Sequence, residues 1–249
     1  MELTFKTFFT RAKGKSRYLI RRISEELFWQ WRVGRHVAKK VEVQQFGAQE
    51  STDISDHLNF LSLLIHLQQP KAILELGTRG GESTRVLESY CRDFACIGRS
   101  IDLEPAPDWL ERSSHWKHFL GDDCSLGESI YKTKAWPDGT PFQNIDLLFI
   151  DTSHEYPHTK KELETFFPLL APKATMIFHD TNLMKTPTRR LDGRLGYGWD
   201  NQRGVIRAIE EFFSIEVLEM NYFFKDLPGT NLKIYHRPWN NGFTVIQRF

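Results

Sequence analysis

Acidic and imidazole side chains recur in this chain at one kind of place, directly after short apolar runs. The run Ala72-Ile73-Leu74 passes through Glu75 and Leu76 into the turn Gly77-Thr78-Arg79-Gly80-Gly81, and then into Ser83 and Thr84. The run 95–101 meets Asp102, and 118–120 meets Gly121, Asp122 and Asp123. The run 146–150 (DLLFI) meets Asp151, with Ser153 and His154 just beyond, and 175–178 meets His179, Asp180 and then Asn182. Glycines in such a turn let backbone approach a ligand closely, and a helix opening after them aims free N–H groups and a positive dipole end at it. Carboxylates there accept hydrogen bonds from hydroxyl and amino groups. Imidazole titrates in the working pH range, which makes His154 a candidate general base. The competing role for His154 is to cap the helix that begins near Pro157.

Elements of a definite kind must carry these residues. The apolar runs read as strands over 72–76, 95–101, 118–120, 146–150 and 175–178, and 146–150, wholly apolar after Asp146, suits the centre of a parallel sheet. Leu58, Leu61, Leu64 and Ile65 have helical spacing up to Pro70, with Ser51 or Asp53 placed to cap that helix. Residues 84–91 and 204–213 also read as helices, as does the stripe Leu163, Phe166, Phe167 and Leu170, stopped at Pro172. His158 falls on the exposed side of that last helix. Two further strands are expected near 215–220 and 243–248. The loop from Thr181 to Gln202 is long for a compact domain, and such loops are lids or lack structure of their own. Strands alternating with helices specify an α/β fold with a doubly wound sheet. In such sheets ligands sit beyond the carboxyl ends of the strands, where every residue singled out above is found.

The spacing Gly77, Gly80, Gly81 does not fit the G-x-G-x-x-G dinucleotide register. An acid two residues before the first glycine, followed by G-x-x-G-G-x-S-T, instead resembles the first motif of class I S-adenosylmethionine-dependent methyltransferases. The resemblance implies a Rossmann-like methyltransferase sheet binding S-adenosylmethionine through Glu75, Gly77, Thr78, Gly81, Ser83, Thr84, Asp102, Asp122 and Asp123. In that arrangement Asp102 accepts the ribose hydroxyls, Asp122 and Asp123 face the adenine amino group, and Ser83 and Thr84 lie near the methionine end. The segment FIDTSHEYPHTKKELETFFPLLAPKATMIFHDT is similar to a branch containing macrolide-sugar O-methyltransferases and proteins called cephalosporin hydroxylases. The similarity runs over about residues 52–215, with Lys173-Ala174 standing where the branch has a glycine turn. It implies catalytic roles for His154 and Asp151, and a Mg²⁺ or Mn²⁺ ion held by Asp151, His179 and Asp180 that acidifies a substrate hydroxyl. An alternative role for His179 is a hydrogen bond within the sheet end.

The implied function is O-methylation of a small hydroxylated acceptor, a sugar or a natural-product scaffold. Metal-free N-methylation and a non-catalytic S-adenosylmethionine-binding module are the alternatives. Composition is ordinary for a soluble globular protein: 249 residues, 40% hydrophobic, 26% charged and a net charge of +1. That balance hides an asymmetry. Residues 1–40 hold eleven Lys/Arg against three Asp/Glu, whereas the remainder holds 22 against 29. The charge split points to a basic helical N-terminal extension, residues 1–50, and the resemblance implies that a methyltransferase domain over 51–249 follows it. Ile20, Ile23, Leu27 and Trp31 make an amphipathic helix over about 16–33, serving as a cap or homo-oligomer contact, a membrane-surface arm, or a pocket wall. The acidic body and the lack of an Asn-Pro-Pro-aromatic motif argue against nucleic acid. Cys91, Cys96 and Cys124 have no metal or disulfide spacing. With no apolar run near the roughly 18–20 residues of a membrane span and no secretory signal, the expected location is the cytoplasm.

Overall fold

A computed structural model of the chain describes residues 54–183, 187–189, 195–197, 202–218, 220–227, 229–238 and 240–249. The basic extension, its amphipathic helix and the capping candidates Ser51 and Asp53 lie outside the described residues. The first described helix, α1 (Ser55–Gln68), begins at an Ile54 cap position without a side-chain cap bond. It buries Leu58, Leu61, Leu64 and Ile65, the stripe its spacing predicts.

From there strands and helices alternate: β1 (Ala72–Leu76), α2 (Glu82–Phe94), β2 (Ile97–Asp102), the single turn α3 (Asp108–Glu111), β3 (Trp116–Leu120), α4 (Asp123–Thr133), β4 (Ile145–Ile150), α5 (Tyr156–Phe166) and β5 (Leu170–His179). After β5 come a ribbon of β6 (Pro187–Arg189) and β7 (Leu195–Tyr197), then α6 (Gly204–Phe213), β8 (Phe223–Leu227), β9 (Leu232–Arg237) and β10 (Phe243–Arg248). Eight strands form one sheet in the order β3-β2-β1-β4-β5-β10-β9-β8. The first five are parallel, while β10 pairs antiparallel with β5 and β9, and β8 antiparallel with β9. All five residues of β1 are buried, and so are five of the six in β4, as strands with both faces covered require. Strand order reverses between β1 and β4, so their ends open a crevice.

Two sequence expectations are corrected and a third is narrowed. The helix read as ending at Pro172 stops at Phe166, passes through a 3₁₀ turn (Phe167–Leu169), and Pro172 lies inside β5. It is tolerated because the β4–β5 register shifts between Ile145 and Leu147, sparing the proline a ladder hydrogen bond. Residues 215–218 form no strand: the Val217 amide donates to Glu210 Oε1 at 2.8 Å, tying this stretch to α6. The strands that do form are β8 and β9, and β8 escaped notice because its residues are mostly exposed and do not alternate. The 181–202 segment, read as a long loop that is either a lid or without structure of its own, contains the β6–β7 ribbon, which removes the second alternative for 187–189 and 195–197.

Candidate active site

Beyond the ends of β1, β4 and β5 lies a cavity of about 670 Å³, within the size range of small-molecule sites. One wall is the turn after β1 and the start of α2: Gly77, Thr78, Arg79, Glu82 and Ser83. Another is the loop after β4, Asp151 to His154, together with Asp180. Ile54, Leu183 and Asn241 complete the lining.

The turn after β1 is held by two carboxylates. Glu75 is fully buried and receives the Ser83 hydroxyl on Oε1 at 2.6 Å and the Thr84 hydroxyl on Oε2 at 2.7 Å. Burial pushes its carboxyl up to about 8, against the lowering effect of those two hydrogen bonds. Glu75 thus locks the start of α2 from behind. Asp102 grips the turn from the side, its Oδ2 accepting from the amides of Thr78 at 2.5 Å and Arg79 at 2.9 Å, and its Oδ1 from the Glu104 amide at 2.9 Å. At Gly77, where φ is +83°, a Cβ would stand 2.1 Å from the Asp151 carbonyl oxygen, so only glycine lets β1 and β4 end this close together.

Two non-glycine residues in the left-handed region shape the opposite wall, His154 (φ +59°) and Asp180 (φ +53°). Such conformations cost energy and persist where surrounding contacts impose them. Here they turn the imidazole between two carboxylates: His154 Nε2 lies 3.0 Å from Asp151 Oδ1 and Nδ1 lies 3.0 Å from Asp180 Oδ2. Burial alone would lower the His154 pKa, but hydrogen bonds to Asp151 and Asp180 prevail and push it up to about 9. His179 lies behind this pair, 1% exposed, its Nδ1 3.1 Å from Asp151 Oδ1 and 3.5 Å from Asp180 Oδ1. Its other nitrogen, Nε2, is buried without a hydrogen bond. Burial opposes protonation of His179 as well, and the Asp151 charge outweighs it, raising the pKa.

The donor atoms of Asp151, His154 and Asp180 lie within 4.8 Å of one another, a spacing that could hold a metal ion. His179, read from the resemblance as the third ligand, falls outside this group and sits where it orients Asp151. Of the residues expected at the cofactor, Gly77, Thr78 and Ser83 line the cavity; Glu75, Gly81, Thr84, Asp102, Asp122 and Asp123 do not. The carboxylate of Asp122 caps α4, accepting from the Ser125 amide at 2.8 Å. Asp123 is 6% exposed and meets His158, which is a half-buried partner (Nε2 to Asp123 Oδ1, 3.2 Å) and not the solvent-facing residue its helix position suggested. Sequence reasoning passed over Arg79, Glu82, Thr152 and Asn241 as lining residues. Arg79, Glu82 and Thr152 stand inside quoted motifs, whereas Asn241 arrives from the β9–β10 turn with no local signal.

The sheet order and the crevice at its switch point define a Rossmann-like, doubly wound α/β fold. Residues 74–181 match the family described as a methyltransferase domain. An uncharacterized protein, y4gI of Sinorhizobium fredii, is 25% identical over 140 residues, which is 51% of this chain and 15% of that protein, so the chain spans a small part of its length. Two solved structures share the fold. One is an O-methyltransferase from Bacillus cereus in complex with SAH (TM-score 0.53, 17% identity, 91% of this chain and 97% of that one). The other is the O-methyltransferase TomG from Streptomyces achromogenes, involved in tomaymycin synthesis, in complex with SAM (TM-score 0.54, 18% identity, 78% and 80%). Among the described residues no helix is long and apolar enough to cross a membrane.

Proposed function

We propose that the chain is an S-adenosylmethionine-dependent O-methyltransferase acting on a hydroxyl of a small molecule, a sugar or a natural-product scaffold. The observation that carries the reading is His154, held between Asp151 and Asp180 on the wall of the cavity that also contains the glycine turn. S-adenosylmethionine would supply a methyl group on a sulfonium that is its own leaving group. The chain's remaining tasks are to align the acceptor, take its proton and exclude water.

The turn at Thr78 and Arg79, its amides tied to Asp102, and the Ser83 oxygen, whose proton goes to Glu75, form the face against which the cofactor would lie. In the free site both His154 nitrogens face carboxylates and its pKa is raised to about 9. It would therefore receive the acceptor's proton only after giving up one of its own and turning that nitrogen from Asp151 or Asp180 to the acceptor. The carboxylate that remains holds the ring in orientation and stabilises the imidazolium that forms, the role a buried acid plays beside any catalytic histidine.

The donor set also suits a hard divalent cation. Asp180 Oδ1 is buried without a hydrogen bond of good geometry, and Asp151 presents a second carboxylate beside it. Mg²⁺ or Mn²⁺ would be held by Asp151 and Asp180, and there would lower the pKa of a bound hydroxyl. Assembly as a homo-oligomer through the basic extension, in the cytoplasm, belongs to the same reading, with no nucleic-acid partner.

The test begins with calorimetric binding of S-adenosylhomocysteine, followed by methyl transfer to a panel of hydroxylated metabolites. His154→Ala should lower kcat by about 10²–10⁴-fold while the cofactor still binds. Chelator should suppress turnover and Mg²⁺ or Mn²⁺ restore it. An inactive His154→Ala with chelator-insensitive wild type removes the metal and leaves base catalysis alone. Turnover unchanged by both treatments refutes the site.

A further inference from the structure

Helix α5 turns a stripe of Thr159, Glu162, Leu163 and Phe166 into the interior, and Glu162 is the acid among them, fully shielded from solvent. An ionised glutamate buried there would be costly to keep, and its contacts show what it does instead. The Thr152 hydroxyl donates to Glu162 Oε1 at 2.6 Å. Thr152 stands between Asp151 and His154 in the loop after β4 and lines the cavity. On the other side His158 Nε2 bridges to Asp123, the first residue of α4, lying 3.5 Å from Glu162 Oε1 and 3.2 Å from Asp123 Oδ1. Asp123 Oδ1 also accepts from the Cys124 amide at 2.6 Å.

We infer that Glu162 and Thr152 are positioning residues, the buried link through which a purine seated on the Asp122–Cys124 turn after β3 sets the loop carrying Asp151 and His154. The inference rests on the cofactor reading above, since it takes that turn as the adenine end of the site.

The link needs Glu162 to be neutral. Burial first, and then the Asp123 charge, push its carboxyl well above the usual range, while hydrogen bonds from His158 and Glu162 hold Asp123 below its own despite burial. A neutral carboxyl has one accepting oxygen and one O–H. The first takes the Thr152 hydroxyl. The second, Oε2, is sealed from water without a hydrogen bond of good geometry, and Asp123 is the carboxylate to which its O–H would donate, keeping the proton on Glu162. The donor atoms of Asp123, Cys124 and His158 also converge. They are already engaged, however, as an acid–imidazole pair and as a buried thiol whose pKa burial drives upward. This makes them a closed hydrogen-bonded link and a poor ion site.

The distinguishing variant is Glu162→Gln, because a side-chain amide keeps one acceptor for Thr152 and one donor for Asp123 without any titration. The experiment is hydrogen–deuterium exchange of the full chain with and without saturating S-adenosylhomocysteine. In the wild type the ligand should slow exchange over 77–84 and over 151–156. Glu162→Gln should behave likewise. Glu162→Ala and Thr152→Val should keep the protection over 77–84 and lose about tenfold of it over 151–156, the loss expected when one hydrogen bond ceases to hold the loop. If Glu162→Ala fails to fold, Thr152→Val, an isosteric change on a loop, carries the test. Full protection of 151–156 in Thr152→Val overturns the inference, as does a Glu162→Gln variant that loses that protection. Failure of the wild type to bind S-adenosylhomocysteine overturns the cofactor reading and this inference with it, a result seen before any variant is made.

Discussion

Glu75→Gln should change how stability responds to pH, and the structure sets both sign and size. In the folded chain burial pushes the Glu75 carboxyl up to about 8, from an ordinary value of 4.5. The folded state therefore keeps a proton that the unfolded state releases above that ordinary value. Stability from this group is fully present at acid pH and is lost as pH rises from about 4.5 through about 8. Within that window the slope is about 1.4 kcal/mol per pH unit, so some 3 kcal/mol disappears between the ordinary value and pH 7. Glutamine cannot ionise, yet it can accept from one of the Ser83 and Thr84 hydroxyls and donate to the other. The variant should be less stable than or equal to wild type near pH 5 and more stable near pH 8. Urea denaturation at half-unit intervals of pH measures the difference, with other titrating groups cancelling between the two proteins. A difference constant from pH 5 to 8, or one favouring wild type increasingly as pH rises, would refute the claim that Glu75 is a neutral lock. S-adenosylhomocysteine affinity should be nearly unchanged in the variant, because Glu75 lies behind Ser83 and outside the cavity lining.

Asp102→Ala removes the acceptor for the amides of Thr78, Arg79 and Glu104 and should weaken S-adenosylhomocysteine binding by about 1–3 kcal/mol, read by calorimetry. Unchanged affinity there would remove Asp102 from the cofactor site. Gly204→Ala would place a Cβ 2.5 Å from the His154 carbonyl oxygen and 2.8 Å from the Tyr156 amide nitrogen. The expected overpacking cost is about 1–3 kcal/mol in chemical denaturation, with kcat falling more than S-adenosylhomocysteine affinity because the displaced backbone is that of the base. A variant with wild-type stability and turnover would show that α6 does not brace the loop.

Much of the scaffold was legible because burial writes itself into local pattern. The helix over 204–213 and the strand over 243–248 were read to the residue, since a continuous apolar face or run leaves one way to bury it. β8 was missed because most of its side chains face solvent, so pairing with β9 defines it and periodicity does not. Glu162 did leave a signal, an acid at a core position of an amphipathic stripe, but a stripe cannot say which distant hydroxyl will meet it.

The sequence by itself determined that acids and histidines stand at the carboxyl ends of parallel strands, because alternation of apolar runs and helices dictates a doubly wound sheet and that sheet has one functional edge. Which of those groups face the cavity was left to the tertiary structure. Glu75 and Asp102 became braces of the glycine turn, His179 went behind Asp151, and His154 came forward between two carboxylates. The reason is physical. A strand end fixes a residue's place to within one turn of chain, but a single φ, +59° at His154 and +53° at Asp180, fixes where its side chain points. At His154 the backbone is braced by Gly204 at the start of α6, about 170 Å away along the extended chain at about 3.3–3.6 Å per residue and adjacent only after folding.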